Sequence, residues 1–313
     1  MSGAAIMLLA LIVDAVLGWP AAVHARIGHP VTWIGALISV LDRAVNREDS
    51  SEALRRVAGI FVAISVISLV AGLGWAVTLI LPGGWVGLVL AATLAWPLVA
   101  ARSMHDHVVA VAQPLMAGDL PAARQAVSLI VGRDPSQLDA AGIGRAATES
   151  LAENTSDGIV APLFWGAIFG LPGIAAYKAI NTLDSMIGHR TVRHEAFGWA
   201  AARIDDVANL IPARLTGVLF AAVSAQPGVA LATMWRDARQ HRSPNAGWPE
   251  AAMAGALGIR LSGPRLYAGH LAQEPWVNAA ARDPDPADLN RALALYVRAM
   301  LVLAAGLALL ALL

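Results

Sequence analysis

Residues 57–101 read VAGIFVAISVISLVAGLGWAVTLILPGGWVGLVLAATLAWPLVAA, without a single charged side chain. A helix that crosses the hydrocarbon core of a bilayer needs about 20 mostly apolar residues. The stretch contains two runs of about that length, Val57–Leu81 and Trp85–Ala101, and the sequence Pro-Gly-Gly at 82–84 favours a tight turn between them. We therefore predict a hairpin of two membrane-spanning helices.

The whole chain has the composition of a membrane protein. Of its 313 residues, 57% are hydrophobic and only 14% are charged, whereas a soluble domain carries about 25% charged residues. Two further apolar runs, Gly3–Leu17 and Leu295–Leu313, are also candidate spans. We predict an all-α, polytopic integral membrane protein with about four to six membrane helices. Re-entrant or interfacial helices and cytoplasmic helical loops complete a single membrane-embedded catalytic domain over 1–313.

Charge and cysteine content exclude several classes of protein. Lys and Arg together number 22, as do Asp and Glu, so no excess charge favours nucleic acid as a partner. The chain has no cysteine, which excludes disulfides, thiolate metal sites and a cysteine nucleophile. The expected partners are small molecules and membrane lipid, and the chain is compatible with a homo-oligomer.

Two apolar segments are ambiguous. Ile159–Ile180 is interrupted by Leu-Pro-Gly at 171–173, and Val207–Ala225 contains Pro212 and Arg214. Each segment fits either a span or a re-entrant or interfacial helix, because broken backbone is tolerated at membrane depth where it lines a cavity.

Arginine counts suggest the orientation of the first half of the chain. The loops at 20–56 and 102–158 hold five and four arginines, and the 82–84 turn holds none. Because cytoplasmic loops carry the excess of Lys and Arg, we place both loops in the cytoplasm and the N-terminus outside. The basic 228–294 region also favours the cytoplasm, and simple alternation of spans does not satisfy all of these loops. The topology after residue 158 therefore stays open, and we favour re-entry for 159–180.

The densest polar run is Thr148–Gly158, with the sequence TESLAENTSDG. Asp134 as N-cap, Pro135 at the first helical position and Gly158 as terminator predict that the run lies on a helix. Glu149, Glu153 and Asp157 would then lie at i, i+4 and i+8, on one stripe.

Three acids on one stripe repel one another, since like charges at i,i+4 are unfavourable. The stripe therefore favours a bound cation, and carboxylate oxygens suit Mg²⁺ that is shared with a phosphate. A solvated helix face is the alternative, but the run borders a membrane-embedded segment, and this position favours the metal site.

A second polar run is Tyr177–Ser185, with the sequence YKAINTLDS. Lys178 follows an apolar segment, where an ammonium group is a candidate ligand for phosphate or carboxylate. Snorkelling of the side chain to the interface is the alternative. The Asn-Thr-x-Asp pattern at 181–184 repeats that at 154–157.

A third polar run surrounds residues 203–214. Asp206 is spaced to pair with Arg203 on one helix, and Asp205 and Asn209 align at i,i+4. Arg214 lies inside the apolar run and needs a partner, although an arginine at a membrane edge is often a topology anchor.

Two loops and one buried acid complete the candidates. Ser243–Glu250, SPNAGWPE, predicts a rigid loop that leads into a short helix rich in small residues, with either a structural or an anion-binding role. His29 lies in Gly28–Gly35, GHPVTWIG. Asp14 lies inside the first span, where an acid costs about 2.5–3.5 kcal/mol, so we expect it to be paired or catalytic.

Taken in order, these blocks resemble the CobD/CbiB family of cobalamin biosynthesis, the membrane-bound cobinamide-phosphate synthases. The resemblance runs nearly from end to end, and it is carried by GHPVTWIG, ESLAENTSDGIVAP, YKAINTLDSMIG, FGWAAARIDDVANLIPAR and SPNAGWPEAAMAGAL, together with Arg133 and Asp134.

The resemblance implies amide ligation. The family joins (R)-1-amino-2-propanol, or its O-phosphate, to a propionate carboxylate of cobyric acid or its adenosylated form, and ATP is thought to drive the reaction. The expected substrates are therefore a corrinoid and aminopropanol (phosphate), with ATP and Mg²⁺ as cosubstrate and cofactor. Formation of an acyl phosphate is the economical way to activate the carboxylate.

We assign roles to the candidate residues on this hypothesis. The residues expected to be catalytic are Glu149, Glu153, Asp157 and Lys178. Those expected to bind substrate are His29, Asn154, Asn181, Arg203, Arg214 and Asn245. Those expected to hold metal are Glu153, Asp157, Asp184, Asp205 and Asp206.

Two rival classes fit part of the pattern. A Mg²⁺-dependent membrane prenyl-type transferase would use two Asn/Asp-rich motifs for a pyrophosphate, but it has no role for residues 243–257. A non-enzymatic transporter would use polar residues in broken helices.

Overall fold

The computed structural model describes residues 2–132, 134–267 and 270–313, and only the backbone at 265–267 and 270–272. The resemblance noted at Arg133 therefore lies outside the described residues. The described chain is almost entirely helical. Its helices, numbered α1 to α14 in chain order, are Gly3–Leu17, Ala21–Ile27, Pro30–Val45, Glu52–Ile80, Gly84–Ala95, Ala101–Met116, Leu120–Val127, Ala140–Thr155, Ala161–Leu183, Trp199–Ala208, Leu210–Ala222, Pro227–Asp237, Gly247–Leu257 and Pro286–Leu312.

Short elements connect these helices. Single 3₁₀ turns lie at Trp96–Leu98 and Ala238–Gln240, and π-helical turns follow α8 and α9 at Ser156–Val160 and Asp184–Gly188. Four strands of two or three residues form two antiparallel pairs, β1 with β4 and β2 with β3. In chain order the strands β1 to β4 are Leu261–Ser262, Arg265–Tyr267, His270–Ala272 and Trp276–Val277.

The predicted class, an all-α polytopic membrane protein, is confirmed. Within the described residues four helical stretches are long and apolar enough to cross a bilayer, and α1 joined to α2–α3 passes the same test with a bend of 108°. The four stretches are Glu52–Ile80, Gly84–Met116, Ala140–Gly188 and Pro286–Leu312. Helix α1 has the bounds that the sequence predicted for the first span.

The chain folds into two compact units. The first contains Met1–Ala100, Ala161–Asn209 and Gly306–Leu313, and the second contains Ala101–Val160 and Leu210–Ala305. That the whole chain acts as one catalytic domain stays a prediction.

Helix α4 is the longest element of the first unit. Ser51 caps its N-terminus, because the Ser51 hydroxyl accepts a hydrogen bond from the Leu54 N–H at 3.3 Å, as N-cap serines do. Gly59 lies so close to the backbone of Phe197 that a Cβ would overlap it. Beyond this contact α4 packs into an apolar core with α3, α9 and α10, whose fully buried members include Ile38, Val62, Ala63, Val66, Ala179 and Leu183.

Helix α9 turns sharply at Gly170, which has φ 66° and ψ −147°. Glycine adopts this conformation without a steric penalty, and Pro172 supplies no backbone N–H for a continuous helix. After the turn, Gly173 packs against the backbone of Trp165 so closely that a Cβ would overlap its carbonyl. The break expected from Leu-Pro-Gly at 171–173 is therefore present, one residue earlier.

Helix α13 is the centre of the second unit, and almost all of its residues are buried. Its small residues let neighbouring helices approach. A Cβ at Gly255 would meet Ala230 and Thr233 of α12, and one at Gly217 of α11 would meet Met234 and the backbone of Trp248. The loop-and-helix prediction for residues 243–257 thus corresponds to the packing core of this unit.

Two glycines of α4 provide a test of this packing. We expect Gly59→Ala to lower the thermal unfolding temperature, since overpacking at a backbone contact costs about 1–3 kcal/mol. Gly72→Ala is the matched control on the same helix, because a Cβ there meets nothing within 4 Å. Circular dichroism melts in detergent measure both, and equal unfolding temperatures for the two variants would contradict the described contact.

Candidate functional site

Helix α8 starts later than predicted. Its N-cap is Asp139, whose Oδ1 accepts a hydrogen bond from the Gly142 N–H at 2.7 Å. The Asp134 carboxylate instead binds the N–H and hydroxyl of Ser136 at 2.8 and 3.0 Å. The predicted N-cap at Asp134 is therefore wrong, and the reason is that two aspartates of equal capping preference lie five residues apart.

The predicted acidic stripe on α8 is interrupted. Glu149 is buried, Glu153 is exposed, and Asp157 is half-buried within the π turn. Because a π turn places more residues in a turn than an α-helix does, Asp157 is rotated away from the direction that i,i+8 spacing predicts. Gly158 also lies within this turn, so it does not terminate the helix as predicted.

Glu149 binds a strained segment of backbone. Its Oε1 accepts a hydrogen bond from the Ser262 N–H at 2.6 Å, and both residues are about 6% exposed. Ser262 has φ 62°, a conformation that costs a non-glycine residue about 1–3 kcal/mol and that clusters at functional sites. A buried carboxylate that fixes this conformation has a positioning role beside its predicted catalytic one.

Four residues near Glu149 form a cluster that the sequence did not predict. The guanidinium groups of Arg145 and Arg260 lie 5.4 and 4.3 Å from the centre of the Trp276 ring. Both arginines also bond to Asp283, and Arg260 does so with two nitrogens. Arg145 lies one turn before Glu149 on α8, but no sequence spacing connects it to residues 260–283.

These contacts change the acidity of Asp283. The hydrogen bonds from Arg260 lower the pKa of the Asp283 carboxyl, burial partly opposes this shift, and the charge of Arg145 lowers the pKa further. The cluster therefore stabilises the fold while Asp283 is ionised.

Lys178 and His29 lie close enough in the first unit to interact electrostatically. Lys178 is 7% exposed. His29 caps α3, since its Nδ1 accepts a hydrogen bond from the Val31 N–H at 3.2 Å. This bond gives His29 a structural role, and its substrate role stays a prediction.

A buried hydrogen-bond chain joins α9 to α10. The Tyr177 hydroxyl donates to Asn209 Oδ1 at 2.9 Å, and Asn209 Nδ2 donates to Asp205 Oδ2 at 3.0 Å. The predicted alignment of Asp205 with Asn209 is therefore confirmed. This bond also directs one Asp205 oxygen into the protein.

Asp184, Arg203 and Asp206 form a charged group in the first unit. Arg203 Nη2 lies 2.7 Å from Asp206 Oδ2, which confirms the predicted pair. Asp184 interacts electrostatically with both residues. Burial raises the pKa of Asp206, and the charge of Arg203 opposes the rise.

The two Asn-Thr-x-Asp motifs have similar local structures. In each motif the threonine hydroxyl donates to the carbonyl four residues earlier, Thr155 to Leu151 and Thr182 to Lys178, both at 2.6 Å. In each motif the helix then passes into a π turn, an irregularity that is frequent at functional sites. The near-repeat in the sequence is therefore also a structural one.

The donor set at Asp184 and Asp206 fits Mg²⁺. This ion takes hard oxygen ligands, commonly one or two carboxylates with phosphate oxygens and water. In the part of the chain that the structure describes, no group of three or more His, Asp or Glu side chains could hold a metal ion. The predicted metal ligands therefore stay predictions. They are Asp184, Asp205 and Asp206 in the first unit, and Glu153 and Asp157 in the second.

An apolar cavity of about 700 Å³ lies beside this charged group, within the first unit. Arg203 is the charged residue in its lining, and aromatic side chains supply much of the rest, including Trp165, Phe169, Tyr177 and Trp199. Such a cavity suits an apolar chain or ring, as expected for a protein surrounded by lipid.

Arg214 and Asn245 lie together in the second unit. Arg214 Nη1 donates to the Leu210 carbonyl at 2.6 Å and lies 3.5 Å from Asn245 Oδ1. Its guanidinium lies 4.3 Å from the centre of the Trp248 ring. Asn245 is buried, and Ser243 holds its loop by accepting hydrogen bonds from the N–H groups of Asn245 and Ala246.

The predicted residues are divided between the two units. The first unit contains His29, Lys178, Asn181, Asp184, Arg203, Asp205 and Asp206. The second unit contains Glu149, Glu153, Asn154, Asp157, Arg214 and Asn245.

These features define the class of the protein, a multi-pass helical membrane protein in which polar side chains gather where helices are irregular. Residues 7–296 match the family model described as CobD/Cbib protein. The chain therefore belongs to the CobD/CbiB family, and the resemblance seen in the sequence is confirmed.

Known relatives cover the chain almost completely. A protein of Rhodobacter capsulatus, called Cobalamin biosynthesis protein CobD, is 66% identical over 300 residues, which cover 96% of this chain and 95% of the relative. Proteins of the same name from Brucella suis and Klebsiella pneumoniae are 46% and 44% identical, and they cover 96% and 95% of this chain. The matched regions are 96% and 94% of those relatives. No solved structure matches the chain significantly.

The Asp283 cluster predicts a pH dependence. Because the pKa of Asp283 is lowered in the folded protein, its contribution is full at pH 7 and is lost as the pH falls below about 4 and through the folded pKa. We expect Asp283→Asn to unfold about 2 °C below the wild type at pH 7, which corresponds to about 1 kcal/mol.

The control is Asp49→Asn, because Asp49 pairs with Arg47 at the surface, where their side chains are 73% and 71% exposed. We expect no measurable shift for this variant. The prediction is wrong if the deficit of Asp283→Asn is unchanged between pH 7 and pH 3.5.

Proposed function

We propose that this protein acts in cobalamin biosynthesis as an ATP-dependent carbon–nitrogen ligase. In the proposed reaction, a propionate carboxylate of cobyric acid, or of its adenosylated form, is joined to the amine of (R)-1-amino-2-propanol or its O-phosphate. The product is cobinamide or cobinamide phosphate. We further propose that the enzyme lies in the bacterial inner membrane and that its active site faces the cytoplasm, where ATP is present.

Family membership and the names of the relatives support the pathway, and the local structure supports the chemistry. The observation that carries the proposal is the local structure shared by the two Asn-Thr-x-Asp motifs, each of which leads into a π turn. Around the second motif are a buried lysine, an arginine and two carboxylates, namely Lys178, Arg203, Asp184 and Asp206. Cations and carboxylates in this proximity suit the handling of a phosphoryl group.

The first proposed step activates the acid. A carboxylate oxygen of the corrinoid attacks the γ-phosphorus of ATP, the bond to the β-phosphate oxygen breaks, and ADP leaves. Lys178 and Arg203 would bind phosphoryl oxygens and stabilise their charge. Asp184 and Asp206 would hold Mg²⁺, which neutralises charge on the transferring phosphate when it is bound.

The second proposed step forms the amide. The amine nitrogen attacks the acyl carbon, and the carbon–oxygen bond to phosphate breaks. The incoming ammonium must first lose a proton, and a carboxylate within hydrogen-bond reach is suited to accept it. Glu153 and Asp157 are the proposed acceptors, because they are less buried than Glu149 and a substrate reaches them more easily. Asn154, Asn181 and Asn245 are proposed to bind amide groups at the substrate periphery.

A reconstituted reaction tests the proposal. Purified protein is incubated with cobyric acid, aminopropanol O-phosphate and ATP·Mg²⁺, and the corrinoid is analysed by mass spectrometry. We expect a mass increase equal to the amine minus one water. If cobyric acid is unchanged while a prenyl diphosphate is consumed, or an ion or solute crosses vesicles, the transferase or the transporter is favoured instead.

Two acidic variants test the proposed proton acceptors. We expect Glu153→Gln and Asp157→Asn to reduce turnover at least about 100-fold, as loss of a general base typically does, while insertion and the unfolding temperature stay near wild type. Glu195→Gln is the control, since Glu195 is an exposed acid outside the proposed sites. Near-normal product formation by both variants would overturn the assignment.

A further inference from the structure

Arg214 and Arg239 are cations of the second unit that have no carboxylate partner among the described residues. Arg239 lies close enough for its charge to act on Arg214. Other arginines of the second unit do pair with aspartates: Arg102, Arg145, Arg236, Arg260, Arg282 and Arg291. Two like charges near each other without a counter-ion favour the binding of an anion.

The position of Arg214 is fixed before any ligand binds. One nitrogen is bonded to the Leu210 carbonyl, and the planar group lies over the ring of Trp248, which is 3% exposed. An arginine held in this way loses little conformational entropy on binding, and its remaining N–H groups match the oxygens of a phosphate. Preorganised donors of this kind characterise phosphate sites.

Asn245 adds a neutral hydrogen-bonding group beside these cations. It is 5% exposed and lies next to the Arg214 guanidinium. His241 stabilises the loop that carries Asn245, because its Nδ1 accepts a hydrogen bond from the Ser243 N–H at 3.0 Å. His241 Nε2 also lies 3.7 Å from a carboxylate oxygen of the buried Glu250. Glu250 therefore interacts with a histidine.

We propose that Arg214 and Arg239, which lie beside Asn245, form a subsite that binds a phosphoryl group. The subsite assigns a role to Arg239, which is exposed at the end of the 3₁₀ turn at 238–240. The bound group is the phosphate of ATP, the phosphate of the aminoalcohol or the headgroup of an anionic lipid. The first two sources rest on the proposed function, whereas the third does not.

Binding of inorganic pyrophosphate to the purified full chain tests the subsite. Calorimetry in a neutral detergent at low salt gives the affinity of the wild type and of Arg214→Gln, Arg239→Gln and Arg298→Gln. We expect the first variant to weaken binding at least about tenfold and the second about threefold, as loss of charge-assisted bonds does.

Arg298→Gln is the matched control. Arg298 also donates to the carbonyl four residues earlier, Ala294, at 3.2 Å, and it also lacks a carboxylate partner among the described residues. We expect this variant to bind pyrophosphate like the wild type. Equal weakening in all three variants would show general charge attraction and would overturn the subsite, as would undetectable binding by the wild type. Because Arg239 is exposed, its variant keeps the test valid even if Arg214→Gln fails to fold.

Competition experiments identify the source of the phosphate. Displacement of pyrophosphate by ATP, by aminopropanol O-phosphate or by phosphatidylglycerol in nanodiscs assigns the subsite to that ligand, with phosphatidylcholine as the lipid control.

If the wild type binds pyrophosphate but forms no amide, the proposed ligation fails and the subsite stands. If Arg214→Gln and Arg239→Gln form amide with unchanged KM for both phosphates and bind pyrophosphate normally, the subsite fails and the ligation stands.

Discussion

Backbone hydrogen bonding is the constraint on which this structure depends. In a bilayer every N–H and carbonyl group must be satisfied internally, so apolar segments form helices and depart from them only where other groups compensate. Departures among the described residues include the turn at Gly170, the 3₁₀ turn at 96–98 and the π turns at 156–160 and 184–188. Each π turn begins within an Asn-Thr-x-Asp motif whose threonine bonds to the preceding helical turn, so the polar motifs coincide with irregular helix.

The acidic side chains of the predicted sites differ in their burial. Glu149 and Asp205 are used within the protein, the first by the Ser262 backbone and the second by Asn209. Glu153, Asp157, Asp184 and Asp206 are less buried, and they are the carboxylates to which we assign roles in the proposed reaction. Glu149, Glu153 and Asp157, which are equivalent by their spacing in the sequence, therefore differ in burial in the structure.

Much of the fold follows from hydropathy and spacing. The uncharged run at 57–101 predicted two membrane helices, Pro172 predicted the break in α9, and three-residue spacing predicted the pair of Arg203 with Asp206. The π turns were not predictable, because no composition distinguishes them from α-helix. The Arg145–Trp276–Asp283 cluster was not predictable either, because its members come from distant parts of the chain and are joined only by tertiary folding.

The proposed ligation requires that the corrinoid carboxylate is activated by phosphorylation before the amine attacks. Cobyric acid labelled with ¹⁸O in its free carboxylate tests this order of steps, with mass analysis of the inorganic phosphate released during amide formation. We expect one ¹⁸O atom in the phosphate for each amide formed. Amide formation with unlabelled phosphate would contradict it.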